Sequence, residues 1–357
     1  MAISRESFGL TKSGIETYQY IISNENGMKA VVSDFGAVLV QLLIPDEGEL
    51  VDVVLGGSSV CDYEGNGCYL GSTVGRSANR IAGAKFTING QEYHIPVNEN
   101  DNNLHSGPDV YNERIWKAET CENTEGDSVT FSLDSPDGDQ GYPGRLQISV
   151  TYTVTKDNSL KIHYYGSSDA DTIVNLTNHS YFNLAGHNSG SILDHEVWID
   201  ADYITEADGH AIPTGRLLAV SGTPMDFTSP KKVGLEINRT DYEPIANGGG
   251  YDHNYCLNFY SSEAEKQEIT LVASLKEPNS GRVMEVLTDL PGLQLYSGNF
   301  LNGNFTGKGG YVYENRTGIC FETQYYPNAV NEPSFPSPVL KKGDIYDTTT
   351  VYRFKKN

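Results

Sequence analysis

The chain has 357 residues, of which 38% are hydrophobic, 10% aromatic and 20% charged, so it can bury a large core, and disordered and fibrous classes are excluded. There are 25 Lys and Arg against 47 Asp and Glu, which gives a net charge of −22. An acidic surface repels phosphate groups, so we expect neither nucleic acid nor a membrane surface as a partner.

Two further features of the composition bear on the compartment. No apolar run approaches the roughly 18 residues of a spanning helix, and residues 1–10 lack the apolar stretch of a secretory signal. We therefore expect a cytoplasmic protein. The five cysteines are widely spaced and include no C-x-x-C pair, so we expect reduced, mostly buried thiols rather than zinc or redox chemistry.

Predicted strands follow one another along the chain. Residues 86–88 and 93–95 flank Asn89-Gly90, two residues that tolerate positive φ, and this predicts a hairpin. Residues 146–154 alternate apolar and polar side chains, which is typical of a strand with one buried face, and 160–165 predict its partner after a polar turn. Further strands are predicted at 129–133, 269–275, 284–287, 319–323 and 349–354.

Helical patterns are scarce. The 37 Gly and 15 Pro interrupt the chain at short intervals, and 23 Tyr with many Val and Thr favour pleated, half-buried surfaces. We predict an all-β fold of large antiparallel sheets packed face to face. No linker, composition shift or fixed-period repeat divides the chain, so a single domain over residues 1–357 is expected.

Common catalytic and cofactor signatures are absent: G-x-S-x-G, H-E-x-x-H, C-x-x-C and the EF-hand loop do not occur. Residues 303–309 (GNFTGKG) resemble a phosphate loop only superficially, because Gly follows the Lys where Ser or Thr should lie. The Gly run at 248–250 has no following helix, so we expect a flexible turn there. Neither a cofactor nor a metal is expected.

Two loop segments concentrate polar side chains. In residues 75–83 (GRSANRIAG), Asn79 and Arg80 can together hold vicinal hydroxyls in a fixed geometry, whereas Arg76 is interpreted as a surface charge. Residues 98–108 surround His105 with amides. That composition is compatible with either a structural or an active histidine, since turns are rich in Asn and Gly.

Residues 175–183 (NLTNHSYFN) carry a second histidine in a strand-like pattern. Period-two alternation places Thr177, His179 and Tyr181 on one face. Such a face is a poor core face, but it suits a polyhydroxylated ligand whose apolar side stacks on a ring while its hydroxyls meet polar groups.

Residues 319–327 (ICFETQYYP) set Glu322 and Gln324 in an apolar strand. A carboxylate in such surroundings is either salt-bridged or has a raised pKa suited to accepting a proton, and the sequence leaves both possibilities open. Asp252 and His253, in residues 249–254 (GGYDHN), are turn residues on the plainest interpretation.

Taken together, these segments resemble the aldose 1-epimerase family, also called galactose mutarotases. The matching stretches occur in family order and span most of the chain: GRSANRIAG at 75–83, NNLHSGP at 102–108, LTNHSYFNLAG at 176–186, YDHNY at 251–255, GLQLYSGNFLNG at 292–303 and FETQYYPNA at 321–329. Ser106 stands where the family commonly has Gly, and Ser180 where it often has Thr.

The resemblance implies a single β-supersandwich domain that interconverts the α and β anomers of free hexoses such as galactose and glucose. It implies an isomerase of carbohydrate metabolism that needs no cofactor. We expect a monomer or a homodimer. By position, Glu322 would be the general base, His179 the general acid, and His105 a helper at the ring oxygen. The sugar hydroxyls would be held by Asn79, Arg80, Tyr181, Asp252 and Gln294.

Three other functions compete with this one. A glycoside hydrolase would use Asp252 and Glu322 as its two carboxylates, and would release reducing sugar from a glycoside. A non-catalytic sugar sensor would bind a monosaccharide without accelerating anomer exchange. An enzyme of hexose phosphates would need several Arg or Lys at the site, whereas only Arg76 and Arg80 lie near a motif, which favours a neutral sugar.

Overall fold

The computed structural model describes residues 3–122, 124–262 and 267–356, and most of them lie in β-strands and turns. The first strands are β1 Ser4–Leu10, β2 Glu16–Ser23, β3 Lys29–Ser33, β4 Val38–Asp46, β5 Glu49–Asp52, β6 Ser72–Val74, β7 Arg80–Ile81, β8 Lys85–Ile88, β9 Gln91–His94, β10 Asn103–Leu104, β11 Lys117–Glu122, β12 Gly126–Ser135, β13 Leu146–Thr155, β14 Ser159–Ser168 and β15 Thr172–Ile173.

The remaining strands are β16 Thr177–His179, β17 Tyr181–Phe182, β18 Glu196–Ile199, β19 Tyr203–Ala207, β20 Pro213–Ala219, β21 Lys231–Lys232, β22 Asp252–Cys256, β23 Thr270–Lys276, β24 Arg282–Thr288, β25 Gly292–Tyr296, β26 Phe305–Thr306, β27 Val312–Tyr313, β28 Ile319–Gln324, β29 Val339–Leu340 and β30 Ile345–Lys356. The α-helical part of the described chain is one short helix, α1, Glu243–Gly248. No helix in this part of the chain has the length and apolar composition to cross a membrane.

Three antiparallel sheets carry most of these strands. The N-terminal sheet is a five-stranded meander, β1 to β5 in order. A nine-stranded sheet has the order β11-β12-β13-β14-β30-β24-β23-β18-β21, and a six-stranded sheet has the order β17-β28-β25-β22-β19-β20. One continuous apolar core contains side chains from all three sheets. The predicted all-β fold of large antiparallel sheets is confirmed.

The predicted hairpins are confirmed with their registers. In the first, β8 pairs with β9 around Asn89-Gly90, and both turn residues have positive φ. In the second, β13 pairs with β14, from Leu146 opposite Ser168 to Val154 opposite Leu160. The segments predicted at 129–133, 269–275, 284–287, 319–323 and 349–354 lie almost wholly in β12, β23, β24, β28 and β30, since Ile269 precedes β23 by one residue.

Strand β28 joins the core to the functional side of the six-stranded sheet. Phe321 belongs to the main core, and the hydroxyl of Thr323 lies 2.5 Å from that of Thr350 on β30 of the nine-stranded sheet. Because side chains alternate along a strand, Cys320 and Glu322 point to the opposite face. The sheet packing therefore fixes the direction in which the carboxylate of Glu322 points.

The cysteine prediction is partly wrong. All five thiols are free, but only Cys256 and Cys320 are buried, while Cys61 and Cys121 are exposed and Cys68 is half-buried. Cys121 lies on β11, the edge strand of the nine-stranded sheet, where a side chain has solvent on one side.

The prediction of turn residues at Asp252 and His253 is wrong as well, because these two residues begin β22 in the six-stranded sheet.

The glycine run at 248–250 ends a helix. Gly249 caps α1 with a φ of 63°, and its N–H donates to Ala246 and Ile245 carbonyls. Gly250 has a φ of 142°, and a Cβ there would lie 2.6 Å from Asn299 Oδ1. Only glycine fits this backbone conformation beside Asn299. The turn leads directly into β22 and so places Asp252 at the edge of the cavity described below.

Arg76 is not a surface charge, because its side chain is fully buried. Its guanidinium donates to the Pro143 carbonyl at 3.0 Å, the Gly144 carbonyl at 2.9 Å, the Ser135 hydroxyl at 2.5 Å, the Thr172 hydroxyl at 3.2 Å and the Tyr111 hydroxyl at 3.4 Å. The fork of donors is thus satisfied without a direct carboxylate partner. Arg76 ties the loop at 75–80 to the segments at 135–144 and 172.

We expect Arg76→Lys to lower the free energy of unfolding by about 2 kcal/mol or more, since lysine cannot reproduce the fork and each charge-assisted hydrogen bond contributes about 1.5–3 kcal/mol. Urea denaturation followed by circular dichroism measures this. The control is Arg145→Lys, because Arg145 is half-exposed and pairs with Asp134 on the surface. Equal stability of the two variants would contradict the structural role of Arg76.

Candidate active site

One cavity of about 230 Å³ contains every residue that the sequence predicts for the site. The predicted residues in its lining are Asn79, Arg80, His105, His179, Tyr181, Asp252, Gln294 and Glu322. The other lining residues are Gly67, Cys68, Tyr69, Glu99, Leu104, Tyr296, Phe300 and Leu301. These residues come from positions 67 to 322, so the cavity exists only in the folded chain. A neighbouring cavity of about 200 Å³ shares Arg80, Glu99, Asp252 and Phe300 with it.

The six-stranded sheet forms the floor of the cavity. In the antiparallel register, Glu322 on β28 lies opposite Gln294 on β25, and Gln294 lies opposite Asn254 on β22. Tyr181 on β17 pairs with Cys320 on β28. Cross-strand neighbours on one face are about 4.5–5.5 Å apart, so this register alone brings side chains from four strands together.

Glu322 and His179 form the central pair of the floor. Glu322 Oε1 lies 3.5 Å from His179 Nε2, and the two residues are only 2% and 5% exposed. Burial raises the pKa of Glu322 well above its usual range; the nearby Asp252 charge adds to this, and the Arg80 charge opposes it. Burial also lowers the pKa of His179 to about 4. The first of the two possibilities for Glu322, a strong salt bridge, is therefore not what the structure favours.

The other ring nitrogen of His179 faces a thiol. Cys320 Sγ lies 3.6 Å from His179 Nδ1, and burial, followed by the charges of Glu322 and Asp252, raises the pKa of this thiol well above its usual range. A neutral thiol can donate its proton to a ring nitrogen. The other tautomer carries the imidazole proton on Nδ1, donates it to the sulfur, and leaves Nε2, the nitrogen that faces Glu322, as an acceptor for the Glu322 proton.

His105 is held by the loop that carries Asn79. The Asn79 backbone N–H donates to His105 Nδ1 at 3.1 Å, and the His105 backbone N–H donates to the Asn79 backbone carbonyl at 3.0 Å. Burial, followed by the charges of His179 and Arg80, lowers the pKa of His105 well below its usual range. His105 is therefore neutral, and because Nδ1 is an acceptor, its proton lies on Nε2.

Arg80 is paired rather than free. Its Nε and Nη2 donate to the two oxygens of Glu99 at 2.6 and 2.7 Å, a bidentate geometry. The Asn79 side-chain oxygen accepts the Arg80 backbone N–H at 2.9 Å. The cationic charge of Arg80 is thus balanced by Glu99, and the other three guanidinium N–H donors are left for a ligand.

Asp252 and Gln294 form a second polar pair. Gln294 Nε2 donates to Asp252 Oδ1 at 2.7 Å, and burial raises the pKa of Asp252, while Arg80 lowers it. Tyr181 donates its hydroxyl proton to the Cys68 carbonyl at 3.0 Å, so its oxygen is available as an acceptor. The wall of the cavity therefore offers both donors and acceptors at fixed positions, as recognition of a polyol requires.

Sequence reasoning missed Tyr69, Glu99 and Cys320 as parts of this site. The Tyr69 ring lies 4.7 Å from the His105 ring and 5.9 Å from the His179 ring, so it packs against both histidines. Tyr69, Asn79 and His105 all have positive φ, which is uncommon for such residues and marks a constrained backbone. One tyrosine among 23 gives no sequence signal, so only the folded backbone identifies Tyr69.

The same floor contains potential metal ligands. Among the described residues, His179, Cys320 and Glu322 form one group whose ligand atoms lie within 4.8 Å of one another.

Comparisons with known proteins show the family of this chain. The family model described as aldose 1-epimerase matches residues 18–353. The galactose mutarotase of Mus musculus is 40% identical over 355 residues, which cover 99% of each chain. The aldose 1-epimerase of Haemophilus influenzae is 38% identical over 343 residues, which cover 95% of this chain and 96% of its own.

Solved structures give the same result. An aldose epimerase homologue from C. elegans superposes with a TM-score of 0.83 at 31% identity, covering 94% of this chain and 98% of its own. The galactose 1-epimerase of Lactobacillus acidophilus superposes with a TM-score of 0.86 at 27% identity, covering 100% and 99%. The large antiparallel sheets described above are thus the fold of the galactose mutarotase-like structures.

Proposed function

Because the chain belongs to the aldose 1-epimerase family, we propose that Glu322 and His179 carry out the two proton transfers of the family's reaction. The chain is a carbohydrate isomerase that interconverts the α and β anomers of hexoses, the activity for which its relatives are named. Galactose and glucose are the substrates we propose. The cytoplasm, a single domain, and a monomer or homodimer remain predictions.

The reaction sets the requirements for the site. A cyclic hexose is a hemiacetal, and inversion at C1 requires the C1–O5 bond to break, the open-chain aldehyde to rotate about C1–C2, and the ring to close on the other face. On opening, a base removes the C1 hydroxyl proton while an acid protonates O5; closure reverses both transfers. Each well-placed group of this kind contributes about 10²–10⁴-fold.

The observation that carries the proposal is the buried pair of Glu322 and His179 on the floor of a sugar-sized cavity. Burial favours the neutral form of both groups, so the pair holds one proton between them. One group is then always the acid and the other the base. An aldose 1-epimerase needs such a pair because the group that accepts a proton during ring opening donates one during ring closure, and the other group does the reverse.

Roles within the pair follow the family pattern. Glu322 would act on the C1 hydroxyl and His179 on O5, after the shared proton has moved to the imidazole. His105 would add a hydrogen bond to O5 from Nε2, the nitrogen left free by the Asn79 N–H. Asn79, Arg80, Tyr181, Asp252 and Gln294 would hold the other sugar hydroxyls.

The same geometry favours a neutral monosaccharide. The cavity of about 230 Å³ is smaller than the roughly 300–1,000 Å³ of drug-sized ligand sites. Arg80 is the cationic side chain of its lining and is already paired with Glu99, and the central pair of Glu322 and His179 is kept neutral by burial. A phosphate group would therefore find no unpaired cation among these lining residues.

We expect Glu322→Gln to lower kcat for galactose mutarotation by at least about 10²–10⁴-fold, since the amide cannot accept the proton, while the fold is retained. Polarimetry of freshly dissolved α-galactose, with the spontaneous rate subtracted, measures this. Glu49→Gln, which alters an exposed carboxylate on β5, is the control. We expect His179→Ala to lower kcat by a similar factor. A near-wild-type rate for Glu322→Gln would show that Glu322 does not transfer a proton in the reaction.

The pH profile of kcat/KM should be bell-shaped. It is measured with a chelator present, so that no metal ion binds the group of His179, Cys320 and Glu322. Below about pH 4 a second proton occupies His179, so the pair has no base. Above the raised pKa of Glu322 the shared proton is lost, so the pair has no acid. We expect kcat/KM to be flat between these limits, whose apparent pKa values belong to the pair. An acid limb centred near 6.5, the ordinary histidine pKa, would contradict the buried neutral imidazole.

His105→Ala should lower kcat and raise KM together, but by less than Glu322→Gln, because the alanine removes the hydrogen bond to the sugar and the one from the Asn79 N–H but leaves the central pair in place. Initial rates over a range of galactose concentrations separate the two constants. His94→Ala, at an exposed histidine on β9, serves as the comparison. If both constants were unchanged in His105→Ala, this histidine would not contact the substrate.

A further inference from the structure

The thiol of Cys320 is placed beside both proton-transfer groups without having a part in the proposed transfers. Its Sγ lies 3.6 Å from His179 Nδ1, and Glu322 Oε1 lies 3.5 Å from His179 Nε2. Cys320 and Glu322 are two residues apart on β28 and therefore share one face of the strand. All three residues are buried, and their ligand atoms lie within 4.8 Å of one another.

A thiolate, an imidazole and a carboxylate are the three side-chain ligands that Zn²⁺ accepts, at about 2.3, 2.0–2.1 and 2.0–2.2 Å. In a tetrahedral site such ligand atoms are about 3.3–3.8 Å apart. The separation of Cys320 Sγ and His179 Nδ1 already falls in that range. One ion binds one ring nitrogen, so the Glu322 oxygen, which lies beside Nε2 and within 4.8 Å of the other ligand atoms, would have to move closer to bind the same ion as Nδ1 and the sulfur. Three protein ligands leave the fourth position of a tetrahedral ion for water.

We propose that Cys320, His179 and Glu322 bind one Zn²⁺ or a similar thiophilic divalent cation, and that this ion reversibly inhibits the enzyme. The inhibition rests on the proposed function, because the ion occupies both groups that move protons. A metal-bound carboxylate no longer accepts the C1 hydroxyl proton, and a metal-bound imidazole no longer exchanges a proton with Glu322. The ion also occupies the floor on which the sugar would lie.

The ligand set predicts selectivity among cations. Mg²⁺ and Ca²⁺ prefer oxygen ligands in larger number, whereas thiolate and imidazole favour Zn²⁺, Cd²⁺ and Co²⁺. Mg²⁺ therefore serves as the negative control ion.

The chain offers a matched control for the thiol. Cys68 also lines the cavity and is half-buried, but its sulfur does not belong to the three-residue group. Cys68→Ser and Cys320→Ser thus each replace one sulfur by oxygen at the site, and only the second removes a proposed ligand.

The test is titration of full-length, reduced, metal-free enzyme with Co²⁺ under absorption spectroscopy, followed by inhibition of mutarotation by Zn²⁺. In wild type and in Cys68→Ser we expect one Co²⁺ per chain with a thiolate-to-cobalt charge-transfer band, displaced by Zn²⁺. Zn²⁺ should inhibit both, with recovery on adding EDTA and no effect of Mg²⁺. Cys320→Ser should lose the charge-transfer band and show at least tenfold weaker inhibition, relative to its own metal-free rate.

Absence of the charge-transfer band in wild type, or equal Zn²⁺ sensitivity of Cys320→Ser and wild type, would overturn the metal site. Loss of the band in Cys68→Ser with retention in Cys320→Ser would overturn it as well. The cobalt spectrum does not depend on turnover. A metal-free wild type that binds Co²⁺ through its thiolate but does not mutarotate galactose would instead overturn the proposed function and leave the site standing.

Discussion

The structure depends on one constraint above all: a carboxylate is held out of water on a strand whose other face belongs to the core. On β28, Phe321 and Thr323 pack toward the nine-stranded sheet, and this fixes Cys320 and Glu322 on the cavity side. A shift of one residue in register would exchange the two faces. The chemistry of the site is therefore set by the packing of the sheets rather than by any flexible segment.

Desolvation then has several consequences at the same place. It raises the pKa of Glu322, lowers the pKa of His179 and His105, and raises the pKa of the Cys320 thiol. Because all these groups are kept neutral, one proton can be shared by Glu322 and His179 without the penalty of a buried ion pair. The same buried group brings together a thiol, an imidazole and a carboxylate, so the proposed catalysis and the proposed inhibition by Zn²⁺ have a common origin.

The loops around the cavity are held by buried polar groups. Arg76 anchors the loop of Asn79 and Arg80 through hydrogen bonds to distant carbonyls and hydroxyls. His105 is fastened to that loop through two hydrogen bonds with Asn79. Glu99 orients and balances Arg80. The residues proposed to contact the sugar are thus kept in place by one another and by Arg76 and Glu99.

Local patterns in the sequence determined the strands, the two hairpins and the motifs that contain the cavity residues. Alternation at 146–154 and the Asn89-Gly90 turn depend only on neighbouring residues, which is why they could be predicted. The burial of Arg76 could not be predicted, because its partners lie 35 to 96 residues away. For the same reason, Tyr69, Glu99 and Cys320 were missed. The separation of His179 and Glu322 and the direction of their pKa shifts were decided by sheet register and burial, which exist only in the tertiary structure.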